Sequence, residues 1–99
     1  MLRLQLSHYR VVQAVRIHGT VSAAAQALGL TQSALSHQIA EAERRLGTKL
    51  FARVGRRLRL TSAGDLLATS ADAILMEAGL AESTLIGKFG ATPGEVVRI

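Results

Sequence analysis

The sequence predicts a mainly α fold: a winged helix-turn-helix of three helices plus a two-stranded wing, followed by one long helix. Three observations carry this expectation. Two short helical patterns are separated by Gly29-Leu30-Thr31, the brief glycine-containing turn of a helix-turn-helix unit. Arginine and leucine then crowd both sides of Gly55, as a half-buried hairpin requires. Finally, apolar residues recur at alternating spacings of four and three from Leu67 to Leu85, the signature of a coiled-coil seam.

The first helix is expected from about Ser7 to His18, with Tyr9, Val12 and Val15 on one stripe, Leu6 one step earlier on it, and Gly19 as its end. A second follows at once. Ser22 is a plausible N-cap, and the run Ala23-Ala24-Ala25-Gln26-Ala27-Leu28 consists largely of strong helix formers stopped by Gly29. Small side chains there let another helix, or a phosphate, approach the backbone. The third helix, residues 32–46, lies in LTQSALSHQIAEAERRLG. Thr31 is its N-cap, Leu35, Ile39, Ala42 and Leu46 form its core stripe, and Gly47 ends it.

After Gly47, Leu50, Val54, Leu58 and Leu60 sit among Arg53, Arg56, Arg57 and Arg59, which predicts a two-stranded wing with an arginine-rich tip. Leu50 and Phe51 should tuck beneath the helices. Thr61 then caps the long helix, with Asp65 in its first turn and Lys88 in its last, each complementing the helix dipole. The seam comprises Leu67, Ala71, Ile74, Ala78, Ala81 and Leu85, while Leu66, Leu75 and Leu80 form a second apolar surface. So long a helix exceeds what the small head can cover, and self-association through the seam is the expectation. Gly90 to Gly94, holding the only proline, reads as a hinge, and Glu95 to Ile99 begins an apolar strand with no sheet to join. The organisation expected is therefore a winged helix-turn-helix head at 1–61, a linker and dimerisation helix at 62–89, and at 90–99 a hinge and the start of a truncated domain.

Charge identifies the partner class. The 99 residues carry a net charge of +5, divided unevenly: residues 1–59 hold ten Lys/Arg and two Asp/Glu, residues 60–99 two and five. A basic head with an acidic tail points to a polyanion. Aromatics are only 3% of the chain, too few for the stacking platforms of single-strand binders, so duplex DNA is the better fit. The absence of cysteine excludes disulfides and thiolate metal sites, and no apolar run approaches the ~18 residues of a membrane span. A cytoplasmic, membrane-free chain is the expectation. His8, His18 and His37 show no metal-ligand spacing and no nucleophile–base constellation exists, so neither an enzyme nor a cofactor is expected.

Gln32, Ser33, Ser36 and His37 are compact hydrogen-bonding groups at the start of the third helix, suited to base edges in a major groove. Gln32 can donate and accept at once, matching adenine. Thr31, with Ser22 and Ala23 at the start of the second helix, is expected to hold phosphates, because unpaired amides and the dipole favour an anion there. Arg53, Arg56 and Arg57 of the wing would contact the backbone or an adjacent minor groove. Two other readings fit the same residues: a protein-interaction module using the alanine-rich helix, and a non-specific nucleoid-type DNA binder.

The strings LTQSALSHQI, RRLGTKLFAR and LTSAG, in this order and spacing, resemble the N-terminal domain of LysR-type transcriptional regulators from about Leu6 to Leu85. The resemblance implies a bacterial transcription factor that dimerises through the long helix and binds an inverted-repeat operator. It also implies that GEVVRI begins an effector-binding domain of two α/β lobes. The small-molecule effector, and any pairing of dimers into a tetramer, would then belong to that missing domain. Ser33 stands where the family most often has proline, His37 where it has arginine, and Ala42 where it commonly has leucine. The run TQSALSHQ is similar to that of the methionine-biosynthesis activator branch.

Overall fold

The computed structural model describes residues 2–90, so the expected hinge and strand at 91–99 lie outside the described residues. Its elements follow the order α1 (Leu6–His18), α2 (Val21–Leu28), α3 (Gln32–Leu46), β1 (Phe51–Val54), β2 (Arg57–Leu60) and α4 (Ser62–Phe89). The two strands are antiparallel, pairing Phe51 with Leu60 and Val54 with Arg57 around Gly55. The predicted fold, three helices with a two-stranded wing and one long helix, is the observed one.

Two features of the helix starts differ from expectation. Leu6 is 50% exposed, and its place in the core is taken by Leu4 and by His8, which is 2% exposed. His8 is the third residue of α1, and its Nδ1 accepts the N–H of Gln5 at 2.9 Å, doing there what a glutamate does in a capping box. The N-cap of α2 is Thr20 rather than Ser22: its hydroxyl accepts the Ala23 N–H at 3.1 Å. The reason lies one residue earlier. Gly19 adopts φ +78°, closing α1 so abruptly that the next helix starts at once.

The core gathers Val11, Val12 and Val15 of α1, Ala24 and Ala25 of α2, Leu35 and Ala42 of α3, and Leu50, all buried. Leu50 and Phe51 tuck under the helices as predicted, held there by Glu43, whose Oε2 accepts the Leu50 N–H at 2.8 Å and the Phe51 N–H at 3.3 Å. Thr61 closes the wing: its amide donates to the Leu50 carbonyl, and its hydroxyl donates to the Lys49 carbonyl at 2.7 Å and accepts the Gly64 N–H at 3.0 Å. Ile39 is only half-buried and Leu46 partly exposed, so the α3 stripe sinks deepest at Leu35 and Ala42.

The start of α4 packs on the head, with Gly64, Ala68 and Ala71 all buried. A Cβ on Gly64 would overlap the Leu50 carbonyl oxygen, so close approach is possible only without a side chain. Asp72 completes this contact, accepting from Gln13 at 2.9 Å and pairing with Arg16. Ala71 is therefore buried within its own chain and is not on a free seam, which corrects the expectation for that residue. Beyond the head, Ile74, Leu80, Ala81, Leu85, Ile86 and Phe89 are exposed, while Leu67 and Ala78 are half-buried. The described residues extend 50 Å along their longest axis, as a protruding helix of this length demands.

Candidate nucleic-acid interface

Thr31 starts α3 with extended backbone and accepts the Ala34 N–H at 3.0 Å. The helix then presents Gln32, Ser33, Ser36 and His37 on one exposed face, because a period of 3.6 residues brings these positions to the same side, opposite Leu35 and Ala42. Ala40 and Arg44 extend that face and are exposed as well. Sequence reasoning left them out; the same period would have included them.

A surface groove of about 320 Å³ opens beside this face, lined by Thr20, Val21, Ser22, Gln32, Arg53, Gly55 and Arg56. It unites four of the expected site residues, Ser22, Gln32, Arg53 and Arg56, from α2, α3 and the wing. Ala23 does not contribute an amide to it, since its N–H is spent on the Thr20 hydroxyl. Among the described residues, the Val21 and Ser22 amides at this helix start have no hydrogen-bond partner. The groove therefore combines two guanidinium groups with a helix N-terminus, a combination that favours an anion.

Arg57 goes elsewhere. Its guanidinium lies against Gly19, whose carbonyl accepts the Leu58 N–H at 3.0 Å. A second groove of about 360 Å³ is lined by Val15, Arg16, Gly19, Arg57, Leu58, Arg59 and Leu60. The wing thus splits its arginines: Arg53 and Arg56 lie with Gln32, whereas Arg57 and Arg59 lie with Arg16. Arg59 was absent from the expected site. Strand alternation puts it on the same side as Arg57, so that signal was available.

Among the described residues, burial and hydrogen bonding shift His8 and Asp72. Burial pushes His8 below the usual histidine range, with Glu41 opposing and Arg45 reinforcing that shift. Hydrogen bonds from Arg16 and then Gln13 hold Asp72 below the usual carboxylate range. Among the described residues no group of three or more His, Cys, Asp or Glu side chains is placed to hold a metal ion. No helix described is long and apolar enough to cross a membrane.

The three helices, the wing and the arginine-lined groove define a winged helix-turn-helix DNA-binding domain. Residues 6–65 match the family model described as the bacterial regulatory helix-turn-helix protein, lysR family. The chain is 43% identical over 72 residues to the transcriptional regulator MetR of Salmonella typhimurium, covering 73% of this chain and 23% of MetR. It is 43% identical over 74 residues to PtxR of Pseudomonas aeruginosa, covering 75% of this chain and 24% of PtxR. Among solved structures it is similar to the DNA complex of the CbnR DNA-binding domain, with a TM-score of 0.76, 30% identity and coverage of 82% of this chain and 93% of that one. It is likewise similar to the BenM DNA-binding domain bound to benA site 1 DNA, with a TM-score of 0.77, 30% identity and coverage of 82% and 94%. The chain belongs to the LysR family of bacterial transcriptional regulators and carries its DNA-binding domain. It spans about a quarter of the length of the curated regulators it matches.

Proposed function

We propose that this chain binds double-stranded DNA sequence-specifically, as a dimer, with α3 in the major groove. The observation that carries the reading is the groove shared by Gln32, Ser22, Arg53 and Arg56. It sets phosphate-binding groups immediately beside an exposed face able to read base edges. In this reading Gln32 is the principal base contact, with Ser33, Ser36 and His37 beside it. Thr31, the Val21 and Ser22 amides and the Arg53 and Arg56 side chains hold the backbone. Arg57, set apart against Gly19, contacts the backbone farther out or an adjacent minor groove.

Residues 1–61 act as the head and residues 62–89 as the helix that joins two copies. Ile74, Ala81 and Leu85 form the exposed part of the interface, with Leu67 and Ala78 at its edge. An apolar cleft of about 330 Å³ lined by Leu46, Leu50, Ala63, Leu66 and Leu67 continues this surface toward the head. A dimer with two reading helices calls for an inverted-repeat operator. Control by a small-molecule effector, and assembly beyond the dimer, would belong to parts of the protein outside this chain.

Selection from a random duplex pool tests the reading. The expected result is two inverted half-sites whose centres lie about one helical turn, or a multiple of it, apart. Salt-sensitive binding with no enrichment would identify a non-specific nucleoid-type binder instead. No DNA binding at low salt would leave only a protein-interaction module.

A further inference from the structure

The two arginine-lined grooves of the head meet at the turn between α1 and α2. Thr20 and Val21 line the groove that holds Arg53 and Arg56, and Gly19, immediately before them, lines the one that holds Arg57. Arg56 and Arg57, consecutive in the wing, divide between the two in the same way. The grooves therefore adjoin, and a strand of phosphates seated in the first can run on into the second. No residue of α3 lines the second groove, so it has no share in the reading face.

Arg16, Arg57 and Arg59 converge on this second groove. Among the described residues, the one carboxylate paired with any of them is Asp72, which pairs with Arg16 and accepts from Gln13 at 2.9 Å. One carboxylate cannot neutralise three guanidinium groups, and the excess charge favours an anion. Arg16 also keeps donors to spare, because a guanidinium has five N–H groups and Asp72 engages Nη2. The groove lies at the C-terminal end of α1, where helix carbonyls ordinarily repel an anion. Here two of those carbonyls are occupied: that of Val15 accepts the Gly19 N–H at 2.7 Å, and that of Gly19 accepts the Leu58 N–H at 3.0 Å. The Arg57 guanidinium sits where a side chain on residue 19 would be. Its full positive charge outweighs the roughly half negative charge of a helix C-terminus.

We propose that the Arg16–Arg57–Arg59 groove is a second phosphate-binding subsite, taking the DNA strand as it leaves the Arg53–Arg56 groove. The inference rests on the reading of that first groove as a backbone contact beside α3. It assigns Arg57 to the backbone rather than to an adjacent minor groove, and it extends the interface across the wing to α1. Arg16 then has two roles, tying α4 to the head through Asp72 and holding DNA with its remaining donors.

The test uses the 99-residue chain and a selected duplex in which one phosphate at a time is replaced by a neutral methylphosphonate, with affinities read by fluorescence anisotropy. With the unaltered chain, two neighbouring groups of positions on one strand of each half-site should each lose on the order of 10-fold. Arg56→Ala should flatten the loss at the first group and leave the second. Arg59→Ala and Arg16→Gln should flatten the second and leave the first. Arg16→Gln retains a donor for Asp72; should its melt nonetheless fall, Arg59→Ala, which breaks no ion pair, decides alone. The proposal is overturned if the second group is missing, or if Arg59→Ala weakens every duplex by one common factor and leaves the map unchanged, as unlocalised charge would. A map with the first group alone overturns only the second subsite, whereas a map with neither overturns the first groove as well.

Discussion

The two halves of α4 carry the same kind of apolar pattern and meet opposite surroundings. From Ser62 to Leu75 the helix is fastened to α1, its small residues Gly64, Ala68 and Ala71 buried and Asp72 pinned by Gln13 and Arg16. From Met76 to Phe89 large apolar residues stand in solvent, among them Met76, Leu80, Leu85, Ile86 and Phe89. The difference lies in reach, not in size. The core that Ala68 and Ala71 join extends along α4 only to Leu75, and beyond it even the small residues Gly79 and Ala81 are exposed. One helix therefore serves as a foundation for the head and as a handle beyond it.

The same substitution should have opposite effects in the two halves. Gly64→Ala forces a methyl group into the Leu50 carbonyl and should cost about 3 kcal/mol or more. Gly79 has open space around it, and Gly79→Ala should stabilise the chain by roughly 0.5–1 kcal/mol through helix propensity. Thermal melts of both variants decide this; equal effects would mean that the first half is not seated as described. Next in size is the effect on assembly. Ile74→Glu with Leu85→Glu should give monomers by sedimentation and weaken binding to a two-half-site duplex by at least about 10²-fold, with the melt of the head preserved. An unchanged dimer would move the interface elsewhere.

How much of this was legible in the sequence follows from what each signal measures. Helix ends at Gly19, Gly29 and Gly47, the hairpin around Gly55 and the Thr31 and Thr61 caps are local events, and local chemistry predicted them. The heptad at Leu67, Ala71 and Ile74 was visible as a pattern, but a period does not say which molecule lies opposite; Ala71 belongs to its own head and Ile74 does not. That Gln32, Ser33, Ser36 and His37 share one exposed face of α3 was legible for the same reason as the caps, since they lie within two turns. The grooves were not, because they join segments far apart in the chain, and Arg57 could not be separated from Arg53 without the Gly19 contact. The burial of His8 in place of Leu6 depends on a capping hydrogen bond that no hydrophobic pattern encodes.

On the proposed function, the head repeats the contrast between halves on a smaller scale, with a reading side and a holding side. Gln32→Ala should cost roughly 1–3 kcal/mol on the selected duplex and relax preference at one base pair. Arg56→Ala, in the same groove, should weaken selected and random duplexes alike and make the salt slope shallower by about one. If the two variants lost affinity in the same proportion on both duplexes, Gln32 would be another backbone contact, and base reading would shift to Ser36 and His37.

The smallest effects expected are those of pH on the joints that hold the head together. His8 titrates below the usual histidine range when folded, so the unfolded chain binds its proton first. Its contribution is complete above the unfolded value of about 6.5 and is lost as the pH falls toward the folded one. Asp72 is also depressed in the folded chain, so the support it gives is present above the ordinary aspartate value of about 3.9 and disappears as the pH falls through its lower folded value. Acid melts should therefore show two stages, the histidine stage first. His8→Gln keeps an acceptor for the Gln5 amide but has no titration, and should abolish the upper stage while leaving the lower one. Asp72→Asn should do the reverse, because it spares the Gln13 hydrogen bond and removes only the charge that Arg16 holds against α4.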